Sequence, residues 1–236
     1  MTILGKTTLL AVALLLAPTL ASAADPVRHV AIYVEPYYAA AGTEGGTPKV
    51  AVGGKFDALL ASTRQKDILA ARDKVLSGPA LVTPMTMMVL AIRLYDAGLR
   101  DDAAFWFYAA KDRFLTLADV VDLDADGLRQ VEDAVSNFAT LAGPAINGYA
   151  FCSIANQQAI RRKALAWVTA NPYQAIFLPQ LPAQHDGDRA AALKASMAAR
   201  TADADKESAY FADPANVAQF KADRAKNETD AKYCWK

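Results

Sequence analysis

The sequence predicts a mainly α-helical fold: a globular bundle of antiparallel helix hairpins with a short β or irregular N-terminal portion. Beyond residue 55, apolar side chains recur at spacings of three, four and seven residues, which is the period of an amphipathic helix. Glycine, proline and helix-capping residues interrupt this pattern at intervals typical of helix lengths. Between residues 24 and 54, the apolar residues occur instead in short β-branched and aromatic runs.

Residues 1–23 have the features of a cleavable signal peptide. A positive charge at Lys6 precedes an apolar run from Leu9 to Leu16, and Ala21-Ser22-Ala23 supplies the small residues of a cleavage site. We therefore expect the mature chain to begin at or near Ala24 and to be periplasmic or secreted. The apolar run is shorter than the roughly 20 residues that a membrane-spanning helix needs, so we expect no membrane span. No cysteine follows the cleavage site closely, so we expect no lipid anchor.

Residues 24–54 form a short β or irregular segment in this interpretation. His29–Val34 and Lys49–Val52 are the two candidate strands, and a glycine-rich loop lies between them. Glu35 adjoins Pro36 and two tyrosines, a setting in which burial could raise the pKa of a carboxylate for acid–base chemistry. Surface tyrosines at a strand end explain the same pattern, and we assign no catalytic residue there.

Residues 55–183 are predicted to form the helical core. The expected helices are 56–76 with a candidate break near Thr63, 85–97, 102–114, about 128–141, and about 147–170 with Cys152 inside it. The expected caps are Thr83, Asp101, and either Asp124 or Asp126; the expected stops are Gly98, Gly143-Pro144 and Asn171-Pro172. The helix at 102–114 carries four successive aromatic residues, which predicts a central, buried helix.

Residues 184–236 are predicted to form a polar helical arm. Alanine and charged residues dominate there, and two helices are expected, at 189–210 and from Asp213-Pro214 onward. Just before the arm, Pro179 and Pro182 frame a stretch that we expect to lie across the core in extended form.

One helix pair carries a family-like pattern. Its large, small and turn positions are Leu90, Ala91, Leu94, Gly98, Ala103, Phe107 and Ala110. This segment resembles a single tetratricopeptide-type helix pair, in which small side chains face larger ones where two helices meet. The pattern occurs once, and a repeat array needs about three copies, so a helical hairpin inside a globular bundle is the alternative. The wider sequence resembles uncharacterised secreted bacterial proteins.

An acidic stretch is the candidate metal site. Asp122, Asp124, Asp126 and Gly127 match the opening of an EF-hand calcium loop, in which alternate carboxylates face one cation. The match then fails, because Asp133 stands where the loop needs a bidentate glutamate. Acidic residues also favour helix starts, so we expect calcium not to stabilise the chain.

The chain has two cysteines, Cys152 and Cys234. Because exported thiols in an even number usually pair, we predict a disulfide that pins the polar arm to the helical core. Two free or buried thiols are the alternative.

Composition and motifs argue against several classes of function but do not identify one. The chain carries 25 basic and 25 acidic residues, and Arg161-Arg162-Lys163 is interpreted as a solvated helix face, so we expect no nucleic-acid partner. His29 and His185 lie at opposite ends of the chain, and hydrolase or zinc motifs are absent from the sequence. We expect no cofactor and a non-enzymatic helical module that binds a protein or peptide in the cell envelope. The alternatives are a small carboxylate-dependent envelope hydrolase and a calcium-stabilised structural protein.

Overall fold

A computed structural model of the chain describes residues 38–39, 49–50, 53–125, 128–184 and 187–234. In this part of the chain, nine α-helices pack as a bundle, which confirms the mainly helical fold. The predicted signal peptide, the candidate strand His29–Val34, Glu35, Asp126 and both histidines lie outside the described residues.

The first elements within the described residues are two short strands. β1 (Tyr38–Ala39) and β2 (Lys49–Val50) are antiparallel, with Tyr38 opposite Val50 and Ala39 opposite Lys49. The helices are α1 (Gly54–Ala61), α2 (Gln65–Ser77), α3 (Pro84–Asp96), α4 (Arg100–Val120), α5 (Arg129–Ala150), α6 (Ile154–Ala170), α7 (Arg189–Ala212), α8 (Pro214–Lys226) and α9 (Thr229–Tyr233). Two 3₁₀ turns occur at Pro79–Leu81 and Gln174–Phe177. None of the helices in the described ranges is long and apolar enough to span a bilayer.

The α3–α4 pair follows its local signals closely. The Thr83 hydroxyl caps α3 by accepting from the Thr86 backbone N–H at 3.0 Å, as predicted. Gly98 takes a positive φ of 79° in the turn, a conformation that glycine adopts without strain. The prediction that Asp101 caps α4 is wrong. The Leu99 N–H bonds back to the Leu94 carbonyl at 2.9 Å, and this tight turn brings the chain into α4 one residue before Asp101.

α4 is the central helix of the bundle, as its aromatic run predicts. It packs against α3, α5, α6 and α7, and Trp106 and Phe107 are each 1% exposed. The helix continues beyond the expected end at Phe114 to Val120, because Leu117 and Val120 are also buried.

α5 corrects the prediction that Gly143-Pro144 ends a helix. The helix continues through Pro144 to Ala150, and Phe138, Ala142 and Ile146 are buried on its inner face. A proline inside a helix costs about 3 kcal/mol, and burial of this apolar face offsets that cost. The break occurs at Phe151–Ser153 instead.

The predicted single helix over residues 147–170 is therefore wrong as well. Ser153 caps α6 by accepting from the Asn156 N–H at 3.2 Å, since its hydroxyl satisfies a free donor at the helix start. Cys152 consequently lies in the α5–α6 turn and not within a helix.

A buried cation joins the first half of the core to the end of α6. The Arg113 side chain is 0% exposed and donates to the carbonyl oxygens of Pro79 and Val82, each at 2.8 Å, and of Asn171 at 2.6 Å. Its guanidinium also lies 5.0 Å from the Trp167 ring centroid. Burial lowers the pKa of Arg113 to about 10.

The C-terminal helices are more closely integrated than a polar arm suggests. α8 begins at Pro214, as the helix predicted from Asp213-Pro214 onward does, and Asp213 caps it by accepting from the Ala215 N–H at 2.8 Å. α7 packs along both α4 and α6 and buries Ser196 and Ala204 against them. The stretch before α7 runs beside the end of α4, where Val121 forms a β-bridge with Ala183.

Candidate functional site

A polar cleft of about 350 Å³ opens between α4, α5, α6 and α7. This volume lies at the small end of the range of ligand pockets, about 300–1,000 Å³. α4 contributes Tyr108, Lys111, Asp112 and Leu115; α5 and the following turn contribute Asn147 and Phe151; α6 contributes Gln157 and Arg161; α7 contributes Arg200, Asp203 and Glu207.

The side chains that line the cleft form successive layers, because the helices that carry them run side by side. Glu207 accepts from the Gln157 side chain near Tyr108, whereas the Ser196 hydroxyl donates to Asp119 at 2.6 Å. α7 therefore runs antiparallel to α4. Because one helical turn rises about 5.4 Å, side chains three or four residues apart occupy successive layers of the cleft.

The first layer is a hydrogen-bonded chain around Gln157, which is 1% exposed. The Gln157 Nε2 donates to the Tyr108 hydroxyl at 3.3 Å and to Glu207 Oε1 at 3.0 Å, and the Tyr108 hydroxyl donates to Asn147 Oδ1 at 3.0 Å. Burial raises the pKa of Tyr108 to about 12, so its proton stays in place at neutral pH. Gln157 Oε1 is buried and has no hydrogen-bond partner among the described residues.

The second layer is dominated by a buried ion pair between α4 and α6. Asp112 is 1% exposed and accepts from the Arg161 guanidinium in close contact. Burial raises the pKa of Asp112, and the contact with Arg161 opposes this shift. Lys111 lies beside the pair, and its pKa is lowered first by burial and then by the positive charge of Arg161. Lys111 forms no ion pair with the carboxylates of the described residues.

The third layer holds Arg200 between two carboxylates. Its Nη1 lies 3.4 Å from Asp119 Oδ2 and its Nη2 lies 3.6 Å from Asp203 Oδ2. Its Nε is buried and lacks a hydrogen-bond partner within the part of the chain that the structure describes. The cleft thus contains positively and negatively charged side chains. It also contains two buried polar atoms that have no hydrogen-bond partner among the described residues.

The predicted calcium residues lie away from this cleft. Asp122 Oδ1 accepts from the Asp124 N–H at 3.0 Å, and Asp124 Oδ1 accepts from the Arg129 guanidinium at 3.3 Å. Among the described residues, which do not include Asp126, no group of three or more His, Cys, Asp or Glu side chains is placed to hold a metal ion. Asp124 does not cap α5 either, because the N-cap residue is Leu128 and no side chain caps this helix.

The two cysteines lie at the far end of α5. A disulfide joins Cys152 in the α5–α6 turn to Cys234 after α9, with their Cα atoms 5.6 Å apart. Arg224, which is 8% exposed, donates from Nη2 to the Gly148 carbonyl at 2.9 Å, and this nitrogen lies 3.3 Å from the Cys234 sulfur. The Tyr233 ring lies so close to Gly148 that a Cβ atom at this position would overlap it. Three contacts therefore hold the C-terminal end against α5 in this structure.

The sequence-based interpretation missed the cleft residues. It treated residues 161–163 as a solvated face, which describes the exposed Arg162 and Lys163 but is wrong for Arg161. The signal that could have found the site is Asp112, a carboxylate in the middle of the mostly apolar, central α4. A carboxylate that is buried at such a position requires a cationic partner.

Comparison with known proteins shows one clear relationship. An "Uncharacterized protein" of Haemophilus influenzae is 35% identical over 211 residues, which cover 89% of this chain and 81% of the relative. No protein-family model and no solved structure matches the chain. With this identity over most of both sequences, the chain belongs to the same family as the Haemophilus influenzae protein.

Proposed function

We propose that this chain is a non-enzymatic peptide-binding protein of the cell envelope and that the cleft between α4 and α7 holds the peptide. The observation that carries the proposal is the pair of unsatisfied buried atoms in the cleft lining, Gln157 Oε1 and Arg200 Nε. One is a hydrogen-bond acceptor and the other is a donor. A buried polar group without a partner costs about 1–3 kcal/mol.

A peptide that reaches from the first layer to the third can supply both missing partners, and a shorter one can supply the partner of Gln157 alone. Its backbone N–H groups can donate to Gln157, and its carbonyl or carboxylate oxygens can accept from Arg200. Phe151 and Leu115 add an aromatic and an aliphatic surface to the same cleft, against which a ligand side chain can pack. The lining therefore offers the mixture of polar and apolar contacts that peptide recognition uses.

The charged groups of the cleft favour binding over hydrolysis. Asp112 is paired with Arg161, Glu207 accepts from Gln157, and Asp203 lies near two cations. A carboxylate acting as a general acid or base must be able to exchange a proton with the substrate. Carboxylates held in ion pairs and hydrogen bonds are better suited to positioning a ligand.

Two further parts of the proposal rest on the sequence. The tetratricopeptide-like pattern coincides with α3 and the first half of α4, so this helix pair serves as the framework behind the cleft. The envelope location rests on residues 1–23 and on the pairing of the two cysteines. N-terminal sequencing of protein purified from its native host should give a start within a residue or two of Ala24, and an intact leader would contradict the location.

Peptide binding can be tested by titrating the isotope-labelled mature chain with a mixture of peptides of two to four residues. The amide signals that shift should belong to the cleft-lining residues of α4, α6 and α7. Leu115→Trp should block these shifts because the larger side chain fills the cleft. Leu141→Trp is the matched control, since Leu141 is exposed and lies outside the cleft lining. Shifts confined to other surfaces, or none at millimolar peptide, would contradict the proposal.

A further inference from the structure

We infer that the ligand of the cleft is a zwitterion of dipeptide size, with its ammonium in the first layer and its carboxylate in the second. This inference rests on the proposed function, because it assigns the ligand class of the same cleft. Its basis is that acceptors without a hydrogen-bond partner among the described residues lie in one layer, while Lys111 lies in the next. Lys111 has no ion-pair partner among the described residues, and its ammonium lies 5.9 Å from the Phe107 ring centroid.

The first layer is built to receive a hydrogen-bond donor with a positive charge. Gln157 directs its Nε2 toward Glu207, so its buried Oε1 is left as an acceptor without a partner among the described residues. Glu207 uses Oε1 for this bond, and its Oε2 makes no hydrogen bond with the described part of the chain. An ammonium group brings three donors and one positive charge to these two acceptors.

The second layer is built to receive an anion. Lys111 has no carboxylate partner within the described residues, and Arg161 next to it is held in place by the buried Asp112. Burial and then repulsion by Arg161 lower the pKa of Lys111, while the carboxylates of Asp112 and Glu207 oppose this shift. A bound carboxylate would offset the repulsion between the two cations. Charged hydrogen bonds of this type are roughly twice as strong as neutral ones.

The spacing of the layers selects the size of the ligand. Lys111 lies three residues after Tyr108, and Arg161 lies four residues after Gln157, so the layers are about one helical turn, roughly 5.4 Å, apart. Two extended residues span at most about 7 Å, whereas a single residue spans at most about 3.6 Å. A dipeptide can therefore reach both layers at once.

The balance of charge argues against a simple anion. The cleft lining contains three cations, Lys111, Arg161 and Arg200, and three carboxylates, Asp112, Asp203 and Glu207. A phosphate-like ligand would bring its negative charge near these carboxylates with nothing to compensate them. A zwitterion adds no net charge and gives each sign an opposite partner.

The experiment uses calorimetry on the full mature chain with five ligands. These are alanyl-leucine with both ends free, its N-acetylated form, its C-amidated form, the doubly blocked form, and free leucine. Blocking either end should weaken binding at least tenfold, and free leucine should bind at least tenfold more weakly than the free dipeptide.

Two variants assign each end to its layer. In Lys111→Met, amidation of the dipeptide should no longer weaken binding, whereas acetylation still should. In Glu207→Gln, acetylation should no longer weaken binding, whereas amidation still should. The matched controls are Lys194→Met and Glu132→Gln, because both residues are exposed and lie outside the cleft lining. Circular dichroism checks the fold of each variant. If a variant does not fold, the five titrations of the wild-type chain still test the inference.

The outcomes separate the inference from the proposed function. Equal affinity for all four dipeptide forms would overturn the zwitterion assignment and leave peptide binding in place. Free leucine binding as tightly as the dipeptide would overturn the two-layer assignment. No binding of any dipeptide form, together with no shift of cleft signals by longer peptides, would overturn the proposed function itself.

Discussion

The Cys152–Cys234 disulfide gives the most quantitative prediction, and Cys234→Ser is the substitution that tests it. The bond closes a loop with a sequence separation of 82 residues, which contains α6, α7, α8 and α9. Opening this loop lets the unfolded chain explore many more conformations, so the folded state loses relative stability. α7, which forms one wall of the cleft, lies inside the loop.

The size of the effect follows from the loop length. For a separation of 82 residues, the chain-entropy relation gives about 4.5 kcal/mol at 25 °C, an upper figure because the unfolded chain retains some structure. The contacts of Arg224 and Tyr233 with Gly148 remain in the variant. We therefore expect the free energy of unfolding to fall by about 2–4.5 kcal/mol.

Urea unfolding, followed by circular dichroism, measures this loss in the oxidised protein. Cys152→Ser and the double variant are the matched controls. All three variants should lose the same free energy, because each removes the same cross-link. Limited proteolysis should also cut the variants near α8 and α9 sooner than the wild type. Two titratable thiols in wild-type protein purified without reductant, or additive losses in the double variant, would contradict this prediction.

Three other predictions concern buried charge and metal binding. Arg113→Met should lower the free energy of unfolding, measured in urea, by about 3 kcal/mol or more, because three carbonyl oxygens each lose a donor at roughly 1 kcal/mol or more. The control, Arg129→Met at an exposed position, should change the free energy of unfolding by no more than about 0.5 kcal/mol. Equal losses in the two variants would contradict the prediction. Because the pKa of Asp112 is raised above 3.8, its contribution to stability is present below that pH and lost as pH rises through the raised pKa. The free energy of unfolding of the wild type relative to Asp112→Asn should therefore decrease as pH rises through the raised pKa. Urea unfolding at several pH values measures this difference, and the absence of a trend would contradict the prediction. Calcium should leave the thermal midpoint unchanged, and a rise of several degrees that Asp124→Ala abolishes would show that the acidic stretch binds the ion.

The elements that could be predicted from the sequence are those set by neighbouring residues. Thr83 before Pro84 fixes the start of α3, and Gly98 fixes its end, because capping and positive φ depend on a few adjacent residues. The same holds for Asp213 at the start of α8. The central position of α4 was also predictable, since a helix that is apolar on all sides must be surrounded.

The features that could not be predicted depend on contacts between distant residues. α5 continues past Pro144 because its inner face is buried against other helices, and no local pattern shows this packing. The cleft is a stronger case, since Asp112 and Arg161 are 49 residues apart and meet only after α4 and α6 have packed. Arg161 belongs to a run of three charged residues, and its sequence neighbours do not distinguish it from a solvent-exposed residue.

A crystal structure of residues 24–236 with alanyl-leucine at saturating concentration would locate the ligand itself. We expect the dipeptide in the α4–α7 cleft, with its ammonium within about 3.2 Å of Gln157 Oε1 or the Glu207 carboxylate and its carboxylate at the same distance from Lys111 Nζ. A cleft that stays empty at saturation, or a dipeptide bound elsewhere on the bundle, would contradict it.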